Sequence, residues 1–324
     1  MKLRINANPL LVASIVGLSG CAASQLHDAL PSAMTATHRP WMVNGLTNQD
    51  LIYVSNIDNE VTVYTASNQK LVGVLTDFKQ PMGECVDGTG NVYITDYAAE
   101  TILEYAHGGG KPIKTFSDSP YSPYTCTLDP TNGDLAVADN GDSSQAGDIA
   151  IWPPGSSQPT RYTDLQILNF EAAAYDSSGN LLVSSGSSYG HETGFAWLPR
   201  GGTQLINVTV RGPKGGLTWT NLNGIMWDGQ YFVLDAYDLY RVSLIHGQAY
   251  YVDEILLDYP EDSHPSGPLW IYKSGSQMQV IGGIAGYGYG GEVGIWSYPG
   301  GGPLTTTFTH GVDQPFGVTV SPKQ

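Results

Sequence analysis

From residue 50 onward the chain alternates short apolar runs with turns rich in Asp, Gly, Pro and Asn, and the order of the runs repeats. One copy reads as an apolar strand, a turn with Asp or Gly, and a second apolar strand. A third strand ending in an aromatic follows, then a Gly/Pro turn and a last strand. The first turn recurs at Asp87, Asp129, Asp176 and Asp228, with a weaker copy at Lys273, and the successive spacings are 42, 47, 52 and 45 residues. Asp suits these places because its carboxylate accepts nearby backbone N–H groups, and Gly because it takes positive φ. The second strands begin at Leu51, Asn91, Leu135, Leu181, Tyr231 and Met278. The third strands end in Val63-Tyr64, Glu104-Tyr105, Ile151-Trp152, Ala196-Trp197, Arg241-Val242 and Ile295-Trp296.

Six copies of a four-stranded unit with a period of 40 to 50 residues predict an all-β fold, a six-bladed β-propeller. One such blade cannot bury both of its faces, whereas stacking blades in a ring buries them and removes long exposed edges. The ends of the chain predict how the ring closes. Phe316 to Val320 reads as a first strand with no second strand after it, and Leu51 to Val54 as a second strand lacking a first. A pair of β-sandwiches, the other all-β option at this length, does not explain a uniform repeat of six.

Composition agrees. Gly is 40, Pro 20 and Tyr 20 of 324 residues, while charged residues are only 14%, which disfavours a helix-rich chain. The net charge of -16 carries no basic cluster. Such a surface repels phosphates, so nucleic-acid binding is not expected; it reads first as a solvated exterior of a monomer.

The first twenty residues read as a targeting segment. Lys2 and Arg4 form a basic start, Leu10 to Leu18 a short apolar stretch, and Leu18-Ser19-Gly20-Cys21 the end. The last four positions resemble the lipobox of bacterial lipoproteins. That resemblance implies cleavage before Cys21, lipidation of Cys21, and a place on the bacterial cell envelope, on its periplasmic or cell-surface face. An ordinary secretory signal cleaved near Ala22 or Ala23 is the other reading. The expected organisation is a signal peptide over 1–20, a lipidated Cys and tether over 21–49, partly packed near Trp41, and the propeller over 50–324.

The stretch from Pro81 through Asp87-Gly-Thr-Gly-Asn-Val-Tyr-Ile-Thr-Asp96 is similar to the NHL repeat of six-bladed propellers, and Asn223 to Asp228 and Pro315 to Gly317 carry the same pattern. Related gluconolactonase-like hydrolases hold a divalent metal at the mouth of the central channel, with Glu, Asn and Asp from different blades. Counting back five positions from each first turn gives a ring of Met82, Tyr124, Glu171, Asn223, Pro268 and Phe316. Only Glu171 and Asn223 match metal ligands by type. A hard cation such as Ca²⁺ takes six or more oxygens, so Glu84, Asp313 or waters would have to bend in. Otherwise Glu171 and Asn223 are hydrogen-bonded channel residues, and no cofactor is needed.

Other chemistry is sparse. The seven His residues are scattered, and His107, His246 and His310 read as solvated turn residues. Gly108 to Gly110 and Gly300 to Gly302 read as hairpin turns, not phosphate loops. Two Gly-rich loops between second and third strands carry Tyr189 in one and Tyr287 and Tyr289 in the other, which suits contacts to a sugar or peptide. Cys85 and Cys126 lie in the first strands of adjacent blades, two and three residues before their turns. That leaves a disulfide and two buried thiols both open, and the offset of one argues against the bond if the side chains must share a face. The expected function is a non-catalytic, membrane-anchored propeller that binds a protein, peptide or glycan. The alternative is a metal-dependent, lactonase-like hydrolase.

Overall fold

The structure is a computed structural model that describes residues 39–141, 146–164, 167–185, 194–211, 222–286 and 291–324. They form six sheets of four or five strands around one axis, a six-bladed β-propeller. Blade 1 runs outward as Pro81–Val86, Val92–Asp96, Thr101–Tyr105 and Pro112–Ser117. Blade 2 is Ser122–Leu128, Leu135–Asn140, Ile149–Trp152 and Thr160–Tyr162. Blade 3 is Phe170–Tyr175, Leu181–Ser185, Phe195–Leu198 and Ile206–Val208. Blade 4 is Gly224–Trp227, Phe232–Ala236, Asp238–Ile245 and Gln248–Ile255, with Val210–Arg211 added outside. In blade 5 the inner strand comes in two pieces, Ser263–Pro265 and Trp270–Ser274, both paired with Gln277–Gly286, and Gly291–Tyr298 and Gly301–Phe308 follow.

Blade 6 is built from both ends of the chain. Pro315–Ser321 is its inner strand and pairs with Leu51–Asn56, with Val54 opposite Val318, as the sequence predicts. Val61–Thr65 and Leu71–Leu75 follow, and Trp41–Met42 adds a fifth strand at the rim. The folded body therefore reaches back past residue 50, and Leu46 is buried in its core.

Six apolar cores lie between neighbouring blades, one for each interface of the closed ring. Successive residues of a strand point to opposite faces. Ala136 and Ala138 therefore pack toward blade 3, while Leu135 and Val137 pack toward blade 1. This double burial is why the second strands read as unbroken apolar runs rather than as alternating ones.

Cys85 and Cys126 are joined by a disulfide across the blade 1–blade 2 interface. The offset that argued against the bond in fact favours it. Stacked blades meet front face to back face, so side chains that touch between blades must leave opposite faces of their own sheets. His107 also departs from its sequence reading. It is buried at 8% exposure, with Nδ1 2.6 Å from Ser321 Oγ and Nε2 3.1 Å from the Gln49 carbonyl. It clamps the turn of blade 1 onto both chain ends, so a turn histidine becomes part of the ring closure.

Candidate functional site

The mouth of the central channel lies at the end of the propeller where chain connections lead into the inner strands. The ring found by counting back from the turns has a common physical basis in four blades. Opposite Ser184 and Ser185, Phe170 and Ala172 are paired and Glu171 is the extra residue. Tyr124 is extra between Pro123 and Thr125, and Phe316 between Pro315 and Gly317. In blade 1 the pairing jumps from Pro81 to Glu84, leaving Met82 and Gly83 opposite Thr95, whose hydroxyl contacts both the N–H and the carbonyl of Gly83. A β-bulge bends its strand and re-aims a side chain, and bulges are common beside functional sites. Here one bulge per blade marks the same level in blades 1, 2, 3 and 6. In blade 5 the inner strand is interrupted instead, around Pro268.

Chemically the ring is mixed. Glu171 is partly buried, and Asn169 donates to its Oε1 at 2.9 Å. Burial pushes its carboxyl above the usual range. Tyr124 lies near it, its phenol pushed up to about 12 by burial and then by the Glu171 charge, and its ring centroid is 6.5 Å from that of Tyr97. Asn223 donates its backbone N–H to the Asp235 carbonyl at 2.7 Å, and its side chain near the Asp235 carboxyl favours that group's charged form. Met82 is buried, and Pro268 and Phe316 are partly exposed.

Below the mouth the channel is constricted: Gly83, Glu84, Thr125, Ala172, Leu269 and Val318 are among the residues around a cavity of about 30 Å³, room for about two water molecules. Further along the same inner strands it widens to a cavity of about 140 Å³ beside Ala174, Tyr175, Met226, Trp227 and Ile271. Glu84 is the ionisable side chain in the wall of the constriction, with Thr125 beside it. Ser55 donates to Oε1 at 2.5 Å, while Oε2 has no protein partner. Burial raises its carboxyl to about 8. Its place requires a glycine opposite, because a Cβ at Gly317 would stand 2.2 Å from Oε2. Asp235, fully buried, accepts from the Leu269 N–H at 3.1 Å, and burial raises it to about 7.

A third acidic group sits between blades 1 and 2. Arg161 reaches Asp118 at 2.5 Å, Asp148 at 2.9 Å and Asp139 at 3.2 Å, and all three aspartates have fully buried side chains. Burial raises all three carboxyls, Asp139 the furthest because the Asp118 and Asp148 carboxyls also press on it. One guanidinium thus serves as the internal counter-charge of the cluster.

Glu171 and Asn223 stand at the mouth ends of the inner strands of blades 3 and 4, and Asn169 holds one oxygen of Glu171. The ring adds only Met, Tyr, Pro and Phe beside them. Among the described residues no three His, Cys, Asp or Glu side chains gather as a metal set. Glu171 and Asn223 alone leave the ligand set of the lactonase-like enzymes incomplete among the described residues. Cys21, Tyr189, Tyr287 and Tyr289 lie outside the described residues. Gly186 to Gly190 has Gly-x-Ser-x-Gly spacing and lies outside the described residues. Sequence reasoning missed Asp235 and the Arg161 cluster. Their signal was available, since Asp96, Asp139 and Asp235 all stand at or next to the end of a second strand.

No protein-family model matches the chain, and no curated protein matches it. Many solved structures match in fold. One is titled Kuenenia stuttgartiensis Hydrazine Synthase, with a TM-score of 0.55 at 15% identity, over 76% of this chain and 72% of that one. At that identity the likeness supports the propeller fold alone.

Proposed function

We propose that this chain is a non-catalytic, envelope-anchored propeller that binds a protein, peptide or glycan at its channel-mouth face. The observation that carries the reading is the aromatic mouth above a constricted stretch of channel. The cavity directly beneath it, about 30 Å³, admits water but no substrate, so a ligand approaching from this end sits on the mouth. Among the described residues the mouth offers Tyr97, Tyr124 and Phe316 beside the carboxylate of Glu171, a combination suited to contact with a ligand. The lipobox ending at Cys21 supports the anchor, and the Tyr189, Tyr287 and Tyr289 loops add candidate contact residues. The neighbouring hydrazine synthase is an enzyme by title, yet a shared fold does not carry activity with it.

The test is capture from bacterial envelope extract on the immobilised mature protein. A specific ligand retained by the native chain and lost with Tyr124→Ala and Phe316→Ala is the expected result; retention unchanged by both variants overturns the reading. A lactonase-like hydrolase remains the second reading because Glu171 stands at the mouth. Bound Ca²⁺ or Zn²⁺ in the purified protein, with lactone hydrolysis abolished by Glu171→Gln, would replace the first reading with the second.

A further inference from the structure

The Arg161 cluster is short of hydrogen-bond donors and of positive charge. Arg161 reaches one oxygen of each carboxyl, at 2.5 Å on Asp118, 2.9 Å on Asp148 and 3.2 Å on Asp139. The other three oxygens, Asp118 Oδ2, Asp139 Oδ1 and Asp148 Oδ2, are buried and have no hydrogen-bond partner among the described residues. Buried polar atoms are normally hydrogen-bonded, and an ionised carboxyl can only accept. One guanidinium does not offset three charges. A bound proton relieves both shortages, because a protonated carboxyl donates to its neighbour. Asp139 is the member placed to hold it. It has the longest contact with Arg161, and burial, then the Asp118 and Asp148 carboxyls, raises it well above the usual range. Around the cluster, the Arg161 guanidinium carbon lies 3.8 Å from the centre of the Tyr121 ring, and Tyr121 favours the charged form of Asp148. Glu100 meets Asp118 through its carbonyl, which accepts the Asp118 N–H at 2.9 Å.

Backbone hydrogen bonds tie this cluster to the mouth. Asp139 donates its N–H to the Asp148 carbonyl at 2.9 Å, between the second and third strands of blade 2. Just beyond, the Gly141 N–H donates to Asn169 Oδ1 at 3.0 Å and the Gly147 N–H to the Leu168 carbonyl at 2.9 Å. The packing leaves no slack, since a Cβ at Gly147 would stand 2.0 Å from the Asp139 carbonyl oxygen. With its oxygen held by Gly141, the Asn169 amide turns its NH2 group to Glu171 Oε1, at 2.9 Å. We infer that Asp139 holds a proton at neutral pH, donated to a neighbouring carboxyl of the cluster, and that this proton keeps in place the backbone that aims Asn169 at Glu171. When the proton leaves, three carboxylates repel one another around one guanidinium, Asp139 and Asp148 move apart, and Asn169 loses the N–H that orients it. Because the folded carboxyl is raised, the hold is complete at low pH and fades as pH rises through the Asp139 titration. The inference rests on the proposed binding role only for what Glu171 contacts; the proton and the backbone it holds need no ligand.

Carbon-13 NMR titration of the aspartate carboxyls in the whole mature protein tests the proton without any substitution. The expected result is an Asp139 carboxyl still protonated at neutral pH, while exposed aspartates such as Asp134 are ionised. Amide exchange at Gly141 and Gly147, corrected for its intrinsic pH dependence, should lose protection about tenfold as Asp139 titrates. Asp139→Asn keeps a donor and cannot ionise, so its protection at both amides should stay level with pH. An ionised Asp139 at neutral pH, or protection that falls alike in the native protein and the variant, overturns the proposal. So does a metal ion that copurifies with the native protein and is lost with Asp139→Asn, which would make a cation the occupant. Failure of envelope capture would remove the binding role and leave both of these readouts as they stand.

Discussion

At one end of the propeller, four aspartates repeat a single device; at the other, polar residues in related places each find a different partner. In the turns between first and second strands, the Oδ1 atoms of Asp87, Asp129, Asp176 and Asp228 each accept the N–H two residues on, at 2.7 to 2.8 Å. At the mouth end, Asn56 accepts the Asp313 N–H, Asp96 accepts those of Lys79 and Gln80, and Asp235 takes the Leu269 N–H from the next blade. Asp139 instead shares Arg161 with Asp118 and Asp148. A tight turn dictates its residue by backbone geometry, so every copy converges. The connections at the mouth differ in length from blade to blade, so each strand end is free to acquire its own contact.

Substitutions at the two ends should therefore behave differently. The largest effect is expected from Arg161→Met, which leaves three buried carboxyls without a counter-charge. A loss of about 3–5 kcal/mol is expected in urea unfolding; a loss below about 1 kcal/mol would mean that the cluster does not depend on its guanidinium. Next comes the Cys85–Cys126 bridge. Removing both thiols should cost about 2–4 kcal/mol, from the chain entropy released over a separation of 41 residues. Mass measurement with and without reductant checks first that the bond is present.

Glu84→Gln should act in the opposite direction, with a pH signature. The Glu84 carboxyl is raised from 4.5 to about 8 in the fold. Between those values the unfolded chain has released the proton and the folded chain still holds it. Stability therefore falls as pH rises through that window and levels off above it. Gln does not titrate, so the variant should gain on the native protein from acid to alkaline pH, by on the order of 1–3 kcal/mol above the window. A stability difference that stays flat with pH would mean that Glu84 is not held protonated. Smallest are Asp87→Ala and Asp176→Ala, at about 1 kcal/mol each. Their near-equality in thermal unfolding is the check that the turns are true copies.

The fold was legible because each repeat carries its own turn chemistry and apolar strands, and because Phe316 to Val320 and Leu51 to Val54 were each missing what the other supplies. The level of the mouth was legible for the same reason, since a constant count back from the turn lands on Tyr124, Glu171 and Phe316, the residues the bulges release. What sequence could not give was pairing across blades. Asp118 and Arg161 are 43 residues apart and His107 and Ser321 are 214 apart, and nothing local signals either contact. The cysteines show the limit from the other side: their spacing was visible, but its meaning depended on how neighbouring sheets face each other.

A photo-crosslinking amino acid placed at Tyr124 in the mouth, or at Thr89 in an exposed turn at the opposite end, compares the two ends in producing cells most directly. A specific adduct from position 124 and none from position 89 is the predicted result. Adducts from position 89 alone would contradict the claim that the channel mouth is the binding face.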